Sequence, residues 1–193
     1  IMQMSIDELR IQVESYRTEG LSTQQIADEM SLSQTTVLWL SSKEVVEEQP
    51  VDIRVGWRSI AVKGSRIEAV SSIFCDIIEE ECGEEIDVVV GISLNGIAFA
   101  QSIASMMDLE LSISRSISED GSGHISDVYA DVRKKNVIIV DDVISSGTTM
   151  KKTINNLKNM GSNVRLCIVL ANKSTADELE GVPLRGLVRV VSV

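Results

Sequence analysis

The 193 residues carry 29 acids against 18 lysines and arginines, a formal net charge of −11, with 44% hydrophobic but only 3% aromatic residues. That balance supports an aliphatic core and argues against a large basic surface for nucleic acid or an acidic membrane. No apolar run approaches the roughly 18 residues a membrane span needs, and the N-terminus lacks a signal-peptide pattern, so a cytoplasmic protein without a membrane partner is expected.

Ile6, Leu9, Val13 and Tyr16, spaced by three or four, predict a first helix. Ser22 can cap a second helix holding Ile26, Ala27 and Met30, and Ser33 a third holding Val37 and Leu40. Met30-Ser31-Leu32 between them has the length of a tight turn, and small Ala27 permits close helix crossing. The pair resembles a helix-turn-helix, with Ser31 where many such motifs have Gly. Its last helix opens with Ser33, Gln34, Thr35 and Thr36, the candidate DNA-binding residues. Gln can pair with adenine, and Thr can meet a thymine methyl or a phosphate. In the first fifty residues, however, acids outnumber Arg10, Arg17 and Lys43 by about three to one, and phosphate contacts normally dominate affinity. A helical dimerisation or packing module is the alternative. A homodimer serves both readings, because two weak half-sites bind palindromic DNA cooperatively.

The Ser41 to Pro50 stretch, acidic and ended by proline, reads as a linker or a helix end. It divides the chain into an expected DNA-binding domain, 1–48, and an α/β domain, 49–193. Apolar residues from Ile67 to Ile78 at helical spacing predict an amphipathic helix over Ser65 to Glu81. Asp87 to Gly91 follows as a buried strand, and Ile97 to Met107 as a helix. Leu109 to Ile113, Val137 to Val140 and Val164 to Leu170 read as further strands, with a helix from Thr148 to Met160 capped by Gly161. Such alternation implies a mostly parallel, doubly wound sheet with ligands at the carboxyl ends of its strands. Cys75, Cys82 and Cys167 show neither metal-site spacing nor an even count, so reduced thiols in or near the core are expected.

Two loops fall at that sheet edge. In Gly91 to Gly96 the glycines permit unusual backbone angles, while Ser93 and Asn95 can donate hydrogen bonds. The second is the most informative stretch of the chain: Val137 to Val140, then Asp141 and Asp142, then Ser145, Ser146, Gly147, Thr148 and Thr149 at the start of a helix. Hydroxyls and a glycine at a helix N-terminus suit a phosphate. The two acids would repel a bare phosphate, so the ligand needs hydroxyls or a metal on that side, and a ribose phosphate has the hydroxyls. The polar stretch from Ser114 to Gly123 reads as a mobile loop, with Arg115 within it and His124, the only histidine, just after it.

The acid pair and hydroxyl loop resemble the phosphoribosyl pyrophosphate motif of type I phosphoribosyltransferases. The Walker pattern is excluded because no lysine follows the glycine. The resemblance implies a transferase-like parallel sheet flanked by helices, with a small all-α domain ahead of it. It puts Asp141 and Asp142 on the ribose 2′- and 3′-hydroxyls and Ser145 to Thr149 on the 5′-phosphate. Ser93, Leu94 and Asn95 become the pyrophosphate loop, and Arg115 a residue of the loop that closes over the reacting centre. Mg²⁺ is implied with bound phosphoribosyl pyrophosphate, reached by Asp141 and Asp142 indirectly through the ligand. Orotate-type members carry several cations in the closing loop, whereas here no lysine stands between Arg115 and His124. Stabilising a departing pyrophosphate rests on positioned cations, so binding without catalysis is expected, and an active orotate or purine transferase is the alternative. Lys173, after the last predicted strand, is a candidate contact to a base or phosphate. With the helix-turn-helix, the whole chain resembles the archaeal orotate-phosphoribosyltransferase-like transcriptional regulators of sugar-catabolism genes. The expectation is a DNA-binding homodimer that senses phosphoribosyl pyrophosphate or a related sugar phosphate.

Overall fold

A computed structural model describes residues 4–42, 50, 52–83, 85–116 and 123–190. The chain separates into two compact units, Ile1–Val55 and Gly56–Val193. The expected domain boundary at 48/49 lies outside the described residues.

The first unit is helical: α1 (Ile6–Thr18), α2 (Thr23–Met30) and α3 (Gln34–Ser41). Ser5 and Ser22 each close a capping box, with Glu8 and Gln25 returning side-chain bonds to the cap amides, and Ser33 caps α3. These caps satisfy amides that a helix N-terminus leaves bare. Val13, Ile26, Ala27, Met30, Val37 and Leu40 form the buried core of the unit. Ser31 adopts a left-handed conformation, φ 53°, and the Leu32 amide donates back to the Ala27 carbonyl at 3.0 Å. A serine therefore performs the turn for which glycine is better suited.

The second unit contains α4 (Arg58–Ala61), α5 (Gly64–Cys82), β1 (Val88–Ile92), α6 (Gly96–Met107), β2 (Glu110–Ser116), β3 (Gly123–Ile125), β4 (Asn136–Ile144), α7 (Thr148–Asn159), β5 (Asn163–Asn172), β6 (Glu178–Leu179) and β7 (Val182–Arg189). Among the described residues the sheet order is β3-β2-β1-β4-β5-β7-β6. β2, β1, β4, β5 and β7 run parallel, and β3 and β6 are antiparallel at the edges. Successive side chains of the apolar strands enter opposite cores. Val88, Val90, Val137, Ile139, Cys167 and Val169 pack with Met150, Ile154 and Leu157 of α7. Val89, Ile138, Val140, Leu166 and Ile168 pack with Phe74 and Ile78 of α5 and Phe99 and Ile103 of α6. Burial on both faces is why these strands read as unbroken runs of Val and Ile. Gly161, φ 86°, ends α7, where the Ser162 amide donates to the Leu157 carbonyl.

The sequence pattern departs from the structure in three places. β4 continues through the acid pair to Ile144, paired with β5 as far as Asn172, so the acids close a strand rather than begin a loop. Ser114 to Ser116 and Gly123, expected within a mobile loop, are strand residues, and 117–122 lie outside the described residues. β7 carries Pro183 and Gly186, which read as breakers. A Cβ at Gly186 would lie 2.9 Å from the Asn172 Cβ, so this glycine lets β7 lie against β5.

Candidate functional site

β1 and β4 are adjacent, with β2 on the far side of β1. Strand order reverses between them, which is where an open α/β sheet carries its ligand. Their carboxyl ends bring together the loop over Ser93, Leu94 and Asn95 and the loop over Ser145, Ser146 and Gly147. The Ser93–Leu94 peptide is cis.

The glycines of the first loop serve close packing. A Cβ at Gly96 would collide with the Val140 carbonyl oxygen and lie 3.0 Å from the Asp141 Cα. One at Gly91 would lie 2.9 Å from the Ala100 Cβ and 3.0 Å from the Ile97 Cα. Neither has a positive φ, which corrects the expectation of unusual backbone angles. The N-terminus of α6 thus rests directly on the backbone that carries the acid pair.

The two acids are not equivalent. Asp141 is half-buried, while Asp142 is only 8% exposed. Asp142 Oδ2 accepts the Trp57 indole N–H at 2.7 Å and the Asn95 amide at 3.0 Å. Burial pushes the Asp142 carboxyl above the ordinary carboxylate range, against hydrogen bonds from Asp141, the Val143 backbone, Trp57 and Asn95 that pull it down. Asp141 Oδ1 accepts the Asp142 amide at 2.9 Å. An incoming hydroxyl therefore meets Asp141 first, and it can engage Asp142 only within a site already holding two donors. Trp57 was not among the sequence candidates. Its one signal was a tryptophan, in an aromatic-poor chain, just ahead of the long α5 helix; its ring packs against Phe99 at 5.4 Å between centroids.

In the second loop Ser146 and Thr148 are exposed, Ser145 and Thr149 half-buried, and Gly147 buried with φ 74°. Gly147 occupies the N-cap of α7 without a side-chain bond, and the first turn of α7 holds no acid. The Ser146 and Thr148 hydroxyls lie 3.0 Å apart, and the Thr148 amide reaches Ser146 Oγ only at 3.4 Å. Amides at a helix start, two exposed hydroxyls and no nearby acid in the turn can hold an anion. The Lys173 amide donates to the Ile144 carbonyl at 2.9 Å, which ties this lysine's backbone to the residue that precedes the loop.

Arg115 on β2 and His124 on β3 are antiparallel partners. Directly opposite residues share a sheet face, so the hairpin sets both exposed side chains on one side, a pairing that sequence order does not reveal. Among the described residues no cluster of three or more His, Cys, Asp or Glu could hold a metal ion. Mg²⁺ prefers a few carboxylate or phosphate oxygens and retained water, and half-buried Asp141 suits an ion that arrives with a diphosphate.

In the helical unit the four expected DNA-facing residues divide. Thr35 is exposed, and the Gln34 amide donates to the Gln24 side chain. Ser33 is the cap: its Oγ accepts the Thr36 amide at 3.1 Å. Thr36 is buried, and its hydroxyl donates to Asp52 Oδ2 at 2.8 Å; it is structural, which corrects its place in the outward set. The same Asp52 oxygen accepts the Ser33 amide at 2.7 Å. Leu38, 55% exposed, stands one turn beyond Thr35 and Gln34. Arg10 stacks over the Trp39 ring at 5.3 Å, which leaves Trp39 partly covered.

Residues 56–192 match the phosphoribosyl transferase domain family. The transcriptional regulator GfcR of Picrophilus torridus is 42% identical over 193 residues, covering 98% of this chain and 99% of its own. The protein of the same name from Thermoplasma acidophilum is 41% identical over 189 residues, 96% of each chain. Among solved structures, adenine phosphoribosyltransferase from Thermoanaerobacter pseudethanolicus superposes with a TM-score of 0.61 at 14% identity, over 74% of this chain and 91% of that one. At that identity the likeness concerns the fold.

Proposed function

We propose, for a chain that belongs to the phosphoribosyl transferase domain family and to the archaeal transcriptional regulators named GfcR, that its transferase-like domain senses a ribose phosphate and thereby sets DNA affinity. The protein is a transcriptional regulator with a phosphoribosyltransferase fold. The effector, phosphoribosyl pyrophosphate or a related sugar phosphate, is the specific content of the proposal. The observation that carries it is the adjacency of the β1 and β4 loops, which joins Ser93 to Asn95, Asp141 and the α7 N-terminus at one sheet edge.

Chemically, the exposed hydroxyls of Ser146 and Thr148 and the first amides of α7 receive the 5′-phosphate. Asp141 accepts from a ribose hydroxyl, and Asp142 completes the contact inside the site. The Ser93 to Asn95 loop faces the pyrophosphate, with Mg²⁺ neutralising it and touching the protein through the ligand. Arg115 and His124 are paired on the adjacent β2–β3 strands. One arginine and one histidine without a lysine are few groups for stabilising a departing pyrophosphate, which favours binding over transfer. In the helical unit, Gln34, Thr35 and Leu38 form the outward set on α3, with Leu38 suited to a thymine methyl. A homodimer would place two copies of α3 on a palindromic operator under control of sugar catabolism.

Calorimetry with phosphoribosyl pyrophosphate and Mg²⁺, alongside pyrophosphate release with orotate and purine bases, tests this reading. Saturable binding with negligible release is expected. Rapid release with any base would replace the sensor with an enzyme, and absence of binding by any sugar phosphate would remove the effector role.

A further inference from the structure

Trp57 follows Asp52 by only five residues, and each is committed to a different functional site. In the helical unit Asp52 Oδ2 holds the start of α3, accepting the Ser33 amide and the Thr36 hydroxyl at 2.7 and 2.8 Å. Its other oxygen accepts the Ile53 amide at 2.9 Å. In the transferase-like unit the Trp57 indole donates to Asp142 Oδ2 at 2.7 Å. Five residues of extended chain span at most about 18 Å. A displacement of Trp57 therefore acts on backbone that reaches Asp52 within five residues.

Asp142 is the side chain at which such a displacement begins. It is 8% exposed, and two side-chain donors converge on one of its oxygens: Asn95 from the β1 loop and Trp57 from the segment. A ligand hydroxyl that reaches this carboxylate competes with donors already in place, because a buried acceptor has few free directions. Asn95 is fixed where the β1 loop enters α6, whose Gly96 is wedged against Val140 and Asp141. Trp57 instead precedes the one-turn helix α4 and leads back to Asp52. Of the two donors, Trp57 is the one free to yield, its ring remaining near Phe99.

We infer that the Trp57–Asp142 hydrogen bond is a latch between the two functions: a ligand on the acid pair draws Asp142 away from Trp57, and the 52–57 segment passes that change to the Asp52 clamp on α3. The inference rests on the effector reading above and adds the route by which the signal leaves the site. It requires the ligand to favour the released state over the latched one, since a ligand with equal affinity for both shifts nothing.

The test uses the full chain and two variants. Trp57→Phe deletes the indole N–H but keeps a ring against Phe99; Trp39→Phe leaves Trp57 as the only tryptophan. Phosphoribosyl pyrophosphate with Mg²⁺ is the probe, and DNA affinity is measured with and without it at one salt concentration. For the wild type the ratio of the two affinities should be about tenfold or more, within the usual range of allosteric coupling. For Trp57→Phe it should fall within about twofold of unity while calorimetry still registers the ligand. In Trp39→Phe the emission of Trp57 should shift with the same midpoint as binding; this readout holds even if Trp57→Phe folds poorly. A Trp57→Phe protein that keeps the wild-type ratio, or a Trp57 emission that stays constant at saturation, overturns the latch alone. A wild type that ignores the ligand, or binds it without any change in DNA affinity, overturns the effector reading and the latch together.

Discussion

The Trp57 indole donates to Asp142 Oδ2 at 2.7 Å across 85 positions of sequence, and it shares that acceptor with Asn95 at 3.0 Å. The carboxylate they hold is buried, and burial raises its pKa despite these donors. A carboxyl whose pKa is higher folded than unfolded takes up a proton on folding. The penalty of keeping it ionised therefore begins as pH rises through the unfolded value and is complete above the folded one. Asp142→Asn removes the penalty while its amide oxygen still accepts from Trp57. The variant should melt above the wild type at neutral pH, by roughly 0.5–2 kcal/mol, and the gap should close as pH falls through the ordinary carboxylate range. It should also bind phosphoribosyl pyrophosphate more weakly. Melting curves from pH 4 to 8 and calorimetry check both; an Asp142→Asn protein less stable at every pH would show the indole bond to outweigh desolvation.

Gly96 sits against the backbone of Val140 and Asp141 with no room for a methyl. Gly96→Ala should cost about 1–3 kcal/mol, the usual range for overpacking, and should weaken ligand binding because the obstacle lies beside Asp141. Gly64, in the first turn of α5 with nothing within 4 Å of a Cβ position, is the control: Gly64→Ala should leave stability unchanged or slightly raised. Thermal melts of the two variants make the comparison.

Ser31 holds φ 53° at the turn between α2 and α3. A left-handed conformation costs a non-glycine residue about 1–2 kcal/mol, part of which glycine returns as greater freedom in the unfolded chain. Ser31→Gly should therefore stabilise the helical unit by up to about 1 kcal/mol and leave its DNA affinity unchanged. Denaturant unfolding followed through Trp39, in a Trp57→Phe background, isolates that unit.

Cys75, Cys82 and Cys167 are all free and buried. Burial pushes the Cys167 thiol up to about 12 and raises those of Cys75 and Cys82 as well. The thiolate is the reactive form. With a thiol reagent at pH 8 the native protein should react slowly, Cys167 last, and all three should titrate at once in denaturant. Fast labelling of Cys167 in the native state would contradict its place in the core between the sheet and α7.

Much of this was legible in the chain. Val137 to Val140 announced a strand covered on both faces because both of its faces are in fact packed, and Ser22 and Ser33 announced helix starts because capping is a local matter. Long-range relationships were not legible. Nothing in the order of residues shows that Asp142 is buried while Asp141 is only half-buried, since alternation along β4 decides it only once both cores are known. Thr36 looked like a DNA contact by its position and chemistry, yet the decisive fact is an aspartate sixteen residues later that takes its hydroxyl. Leu38 on the same helix is exposed, which its apolar character does not disclose. The β7 strand was missed because Pro183 and Gly186 punctuate it, although each has a place at that sheet edge.

The most direct test is DNA affinity with and without phosphoribosyl pyrophosphate and Mg²⁺, in wild type and Asp141→Asn, at one fixed salt concentration. The account predicts that the ligand changes wild-type affinity about tenfold or more, that Asp141→Asn keeps its ligand-free affinity, and that its response to ligand is largely lost. Sequence-specific binding that is identical in the presence and absence of every sugar phosphate tried would contradict it.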